Sequence, residues 1–179
     1  MKKTDNQMLV IFGASGDLTA RKLIPSLFNL YLANQLPENF AVLGVSRSDM
    51  SDETFRDRVV YESEYLTKKI KDLGEDKVKG FAEKLYYEDL GDSYETDYGP
   101  LRKRVEALKE KHNTYGNIIY YLSTPPTLYE TVSQCLSDVG MNTQNNGWKR
   151  LIVEKPFGYS LETAQELNKG LHKYFKEHQ

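Results

Sequence analysis

Two short segments carry residue types that can do chemistry at the end of a strand. The first is Gly13-Ala14-Ser15-Gly16-Asp17-Leu18. It follows the apolar run Met8-Leu9-Val10-Ile11-Phe12 and leads into a stretch where Leu18, Leu23, Ile24, Leu27, Phe28, Leu30 and Tyr31 recur at three- and four-residue steps. A strand, a glycine turn and a helix in that order can cradle a phosphate. Glycine lets the backbone approach closely, and the helix start offers unpaired N–H groups at the positive end of its dipole. The spacing is G-x-x-G, with Thr19 beyond it, rather than the strict G-x-G-x-x-G. An ordinary glycine-rich β–α turn shares that composition, but after a first strand dinucleotide binding is the favoured reading. Asp17 is awkward beside a phosphate and is expected to face away, capping the helix or meeting a basic residue. The second segment is Glu154-Lys155-Pro156-Phe157-Gly158. A lysine leaving a buried strand can reach both a cofactor and an anionic or hydroxylated substrate. Pro156 fixes its direction, and an X-Pro bond is open to the cis form. A solvated surface lysine is the alternative.

The second apolar run, Phe40 to Val45, ends at Ser46-Arg47-Ser48, with no acid before Asp49. An acid at this position accepts from the ribose 2′-OH of NAD, whereas an NADP site needs positive charge. The Arg47 guanidinium can fork onto a phosphate and stack on adenine. NADP is therefore favoured, and NAD stays possible because one arginine does not exclude it. Asp89-Leu90 closes the next strand where an adenine edge could be met, by the Asp89 carboxylate and the Leu90 backbone N–H; a turn acid is the equal alternative. Ser123-Thr124-Pro125-Pro126 ends a fourth strand with a stiff loop that can wall a cofactor.

These segments need a frame that brings strand ends together. The order of patterns supplies one. Strands are expected at 8–12, 40–45, 85–87, 117–122 and 150–154. Helices are expected after each: from Leu18, from Ser51 to about Glu83 with a break near Gly74, over Leu101–His112, over Thr127–Val139, and from Ser160 to about Lys176. Strand and helix alternate over the whole length, and the strands read as continuously apolar. That predicts an α/β fold, a doubly wound Rossmann-type parallel sheet in three α/β/α layers, with residues 1–179 as one domain.

Composition narrows the class further. The 179 residues are 39% hydrophobic and 28% charged, which suits a globular chain with a real core. Lys plus Arg is 24 against 26 Asp plus Glu, a formal charge of −2, so no general attraction to nucleic acid or anionic membrane is expected. No apolar run is long enough to span a bilayer or serve as a signal peptide. Cys135 is the only cysteine, so no intrachain disulfide forms and a cytoplasmic location is the default. Three histidines and one cysteine show no zinc spacing, and no metal site is expected.

Three spaced motifs resemble the glucose-6-phosphate dehydrogenase family: Gly13-Ala14-Ser15-Gly16-Asp17-Leu18 with Arg21-Lys22-Leu23-Ile24-Pro25, Tyr121-Leu122-Ser123-Thr124-Pro125-Pro126, and Glu154-Lys155-Pro156-Phe157-Gly158. The resemblance covers essentially the whole chain, in order. It implies the amino-terminal coenzyme domain of an enzyme that oxidises glucose 6-phosphate to 6-phosphogluconolactone with NADP. It also implies roles. The glycine turn takes the pyrophosphate and Arg47 the 2′-phosphate. Pro125 and Tyr129 lie near the coenzyme, Lys155 meets both coenzyme and sugar phosphate, and Lys22 lies on the substrate side. The family continues with an Arg-Ile-Asp-His-Tyr-Leu-Gly-Lys segment and a later catalytic histidine. Neither occurs here, so the substrate domain is expected outside this chain, the chain alone is expected not to turn over, and a homo-oligomer is expected only of the longer enzyme. Two rivals remain: a Glu-Lys-Pro sugar or polyol oxidoreductase of another group, and a dinucleotide-sensing module that never catalyses.

Overall fold

The computed structural model describes residues 3–179. Its centre is the strand β1 (Gln7–Phe12), which is nearly all apolar and can be buried on both faces. β1 pairs in parallel with β2 (Phe40–Ser46) on one side and β4 (Ile118–Leu122) on the other. β3 (Leu85–Asp89) extends the sheet beyond β2, and β5 (Lys149–Val153) extends it beyond β4. The order is β3-β2-β1-β4-β5, all parallel. The chain thus winds outward one way through β2 and β3, then returns to the centre and winds the other way. Between β1 and β4 the direction reverses, and at such a switch point the strand ends splay into a crevice.

Helices cover the sheet in two layers. On one face lie α1 (Ile24–Leu32), α2 (Asp52–Arg56), α3 (Thr67–Lys71) and α4 (Glu75–Ala82). The core side chains on this face include Ile24, Phe28, Phe55, Val59 and Phe81, packed on Ile11 and Val42. On the other face lie α5 (Gly99–His112), α6 (Tyr129–Asp138) and α7 (Leu161–His172). There Tyr98, Leu101, Tyr120, Tyr129 and Phe175 pack on Val10 and Phe12. Phe12 stacks on Tyr98 with ring centroids 5.9 Å apart.

Three elements depart from the periodicity. The expected long helix from Ser51 is broken again at 62–66, well before Gly74. The Ser63 carbonyl accepts both the Thr67 hydroxyl and the Leu66 N–H, which turns Leu66 fully into the core. Wide π-helical turns at Thr19–Leu23 and Asp57–Tyr61 precede that break. The last helix stops at His172, not Lys176, because the tighter bonds from Lys173 and Tyr174 to Gly170 and Leu171 swing Phe175 inward against Tyr120. Its start is as expected, with Ser160 and Thr163 forming a reciprocal cap. Among the described residues no helix is long and apolar enough to cross a membrane.

Candidate functional site

The crevice predicted by the strand order is present. A cleft of about 490 Å³ lies at the carboxyl ends of β1, β2 and β4. Gly13, Ser15 and Gly16 form its floor, Ser46, Arg47 and Ser48 one side, Ser123, Thr124, Pro125 and Leu128 the other, and Asp92 and Tyr94 a further wall. A larger hollow of about 670 Å³ sits at the opposite strand ends, but its lining is mainly aliphatic, with Leu9, Leu27, Leu30 and Phe40.

The floor is shaped by close backbone contact. Gly13 has φ +85°, and a Cβ there would sit 2.4 Å from the Ser123 carbonyl oxygen. Glycine at this position is required by the close passage of β1 against β4. Gly16 is the open one: it is exposed, and a Cβ would meet only the Gly13 carbonyl, at 3.1 Å. Beyond it Asp17 and Leu18 begin the helix, where N–H groups have no earlier turn to bond. Asp17 turns outward to pair with Arg21 at 2.9 Å, which removes its charge from the cleft. In mid-β2, a Cβ on Gly44 would lie 2.7 Å from that of Ala14, so the turn and the second strand pack backbone to side chain.

Arg47 is exposed, and its guanidinium carbon lies 5.4 Å from the centroid of the buried Tyr94 ring. Ser15 and Ser46 share a 2.6 Å hydrogen bond between their hydroxyls, joining the glycine turn to the end of β2. Arg58 reaches the same place from the π-helical turn and donates to the Ser15 carbonyl at 2.7 Å. Ser48 is anchored by the Tyr87 hydroxyl, which donates to its carbonyl at 2.7 Å; burial pushes the Tyr87 phenol up from its usual range.

The wall at β4 is polar and unfinished. The hydroxyls of Ser123 and Thr124 are buried and have no hydrogen-bond partner among the described residues. Such groups are costly to leave unpaired, so a polar ligand in this cleft fits them. Beyond β5, Glu154 is held twice. Its carboxylate accepts from the Tyr121 hydroxyl, and the Tyr129 hydroxyl accepts its N–H and donates to its carbonyl, both at 3.1 Å. Burial first, and Glu154 second, raise the Tyr121 phenol. Lys155 follows, exposed and joined to Pro156 by a cis peptide.

The family model described as glucose-6-phosphate dehydrogenase, NAD binding domain, matches residues 10–179. The chain belongs to the glucose-6-phosphate dehydrogenase family. The glucose-6-phosphate 1-dehydrogenase of Aggregatibacter actinomycetemcomitans is 47% identical over 99% of this chain and 35% of its own length. That of Treponema pallidum is 41% identical over 96% of the chain and 33% of its own length. A solved glucose-6-phosphate dehydrogenase in complex with its substrate glucose-6-phosphate superposes with a TM-score of 0.82 at 31% identity, covering 99% of this chain and 36% of that one. The chain thus spans about a third of the length of these relatives. Neither the polyol-oxidoreductase reading nor the sensor reading is favoured by these matches.

Within this glucose-6-phosphate dehydrogenase coenzyme fold, the expected residues divide. Gly13, Ser15, Gly16, Arg47 and Pro125 meet at the cleft. Ala14 packs beneath it, and Lys22 and Lys155 lie outside it, exposed and without an ion pair among the described residues. One expected contact is not available as drawn: the Leu90 N–H is committed to the Ser46 carbonyl at 2.8 Å. One oxygen of Asp89 accepts the Gly91 N–H at 2.8 Å, and its side chain is exposed. Asp92 and Tyr94 line the cleft where that pair was expected. Tyr129 is fully buried and works behind Lys155, through Glu154. Arg58 and Tyr94 were missed: their neighbours in space lie more than forty positions away in sequence.

Proposed function

We propose that residues 1–179 are the coenzyme domain of an NADP-dependent glucose-6-phosphate dehydrogenase, with the substrate domain elsewhere in the same protein. The observation that carries the coenzyme choice is Arg47. It stands at the end of β2 between Ser46 and Ser48, stacked on Tyr94, with no carboxylate in ion-pair range among the described residues. A guanidinium so placed matches a 2′-phosphate, and NAD is the weaker ligand because it leaves that charge unused.

Ser15, Gly16 and the helix start at Asp17 and Leu18 would hold the pyrophosphate. Ser123, Thr124 and Pro125 would contact the coenzyme from β4. Bound in this cleft, the coenzyme would supply the hydride acceptor for oxidation of glucose 6-phosphate at C1 to 6-phosphogluconolactone. The protein's part is to hold the ring beside the sugar and to place Lys155, the catalytic lysine of this reading, against both. Lys22 supplies a second positive charge on the substrate side.

A base must take the C1 hydroxyl proton. His112 is buried against the Tyr86 hydroxyl at 2.8 Å, His172 pairs with Glu177 at 3.0 Å, and His178 meets Gln144 at 2.8 Å. None lines the cleft, and in this reading the base comes from the substrate domain. A cytoplasmic location fits the single buried thiol, Cys135.

Equilibrium titration of this chain with NADP and NAD tests the reading. NADP is expected to bind more tightly, and the chain mixed with glucose 6-phosphate and NADP is expected to form no NADPH. Equal affinity for the two coenzymes, or steady turnover by the chain alone, would overturn it.

A further inference from the structure

We infer that Arg58 is a second determinant of coenzyme choice, a cation that acts with Arg47 on the 2′-phosphate; the inference rests on the NADP reading above.

The two arginines flank one pair of serines, Ser15 and Ser46, from different elements. Arg58 Nη2 donates to the Ser15 carbonyl at 2.7 Å, and the Ser15 hydroxyl meets the Ser46 hydroxyl at 2.6 Å. Arg47 is the next residue. The Ser15–Ser46 bridge is therefore flanked by Arg47 on the β2 side and by Arg58 on the side of the π-helical turn.

Most other arginines are spoken for. Arg21 pairs with Asp17, and Arg56 and Arg104 share Asp52. Arg58 has no carboxylate in ion-pair range among the described residues, its sequence neighbour Asp57 included. Among those residues its only other polar contact is a long one, 3.9 Å, from Nη1 to the Met50 sulfur. An uncompensated guanidinium with free N–H groups, tied to the floor of an anion site, raises the local potential where a dianionic phosphate would sit. An adenosine with a bare 2′-hydroxyl gains little from it.

The tether and the charge can be separated. Arg58→Gln keeps an N–H donor for the Ser15 carbonyl and removes the charge; Arg58→Lys keeps the charge. The chain and both variants are titrated with NADP, NAD, 2′,5′-ADP and 5′-AMP at several salt concentrations, with thermal unfolding as the check on folding. Arg58→Gln is expected to weaken NADP and 2′,5′-ADP by about threefold to tenfold and to leave NAD and 5′-AMP within about twofold. The salt dependence of NADP binding should become shallower, and Arg58→Lys should restore most of the loss. Equal losses for all four ligands, or no loss in Arg58→Gln, would overturn the role of Arg58 alone. A parent chain with no preference for 2′-phosphorylated ligands would overturn the coenzyme reading and this inference with it.

Discussion

The Tyr129 hydroxyl holds both backbone groups of Glu154, accepting the N–H and donating to the carbonyl, each at 3.1 Å. A side chain from the first turn of α6 thereby fixes the residue that precedes Lys155. Tyr129→Phe leaves both Glu154 groups without this partner in a half-buried place, at a cost of about 1–3 kcal/mol. Denaturant unfolding should show that loss, and hydrogen exchange at Glu154 and Lys155 should speed up. Unchanged exchange there would mean that Tyr129 does not hold the segment.

Arg47→Ala removes the charge at the end of β2. NADP affinity is expected to fall by about tenfold or more, while NAD changes little. Competition titrations of the two coenzymes read the difference directly; equal losses would contradict the placement of the 2′-phosphate.

Gly13→Ala forces a side chain into a left-handed backbone and into the Ser123 carbonyl, 2.4 Å from the new Cβ. Both strain terms act together, and the expected cost is on the order of 3 kcal/mol or more. The melting temperature should drop steeply before any ligand is added. A melt like that of the parent would show that β1 and β4 can separate at their ends.

His112 makes stability depend on pH. Its burial, with Lys84 and Lys111 nearby as lesser causes, lowers its pKa from 6.5 to about 4. The folded chain then keeps the ring neutral where the unfolded chain takes up a proton. Stability from this group is full above pH 6.5 and is lost as pH falls from 6.5 toward about 4, by on the order of 1–2 kcal/mol. His112→Gln should flatten the unfolding free energy over that interval, whatever it does to the baseline. A slope identical to that of the parent would assign the acid sensitivity to other groups.

The frame was legible because burial on both faces leaves a plain mark. Met8–Phe12, Phe40–Val45 and Asn117–Leu122 read as strands, and their alternation with helices implied the switch point between β1 and β4. Arg47 was legible too, since a strand-end position and the lack of an acid suffice to suggest it. What could not be read is contact between distant side chains. Nothing in the sequence around Arg58 says that it bonds to Ser15, and nothing around Tyr129 says that its hydroxyl serves Glu154 rather than a ligand. The Leu90 N–H looked free for an adenine, but the parallel ladder continues one residue past β3 and consumes it. Helix breaks at 62–66 were hidden because Leu66 suits a helix as well as a turn, and only the core decides which.

Lys149 gives the edge strand a fixed origin. It is the first residue of β5, it is buried, and its ammonium donates to the carbonyls of Gly116, Gly147 and Asn146 at 2.7, 3.2 and 3.4 Å. An ammonium held by three carbonyls resembles a metal cation in a loop, except that it is covalently part of the strand. β5, like β3, is an edge strand with a single ladder partner, and a slip of one residue turns every side chain to the opposite face. Pinned at Lys149, the strand becomes a ruler. The reach from the basal loops to Lys155 at the rim is counted in whole residues, and a deletion between Arg150 and Glu154 would misplace the lysine instead of being absorbed.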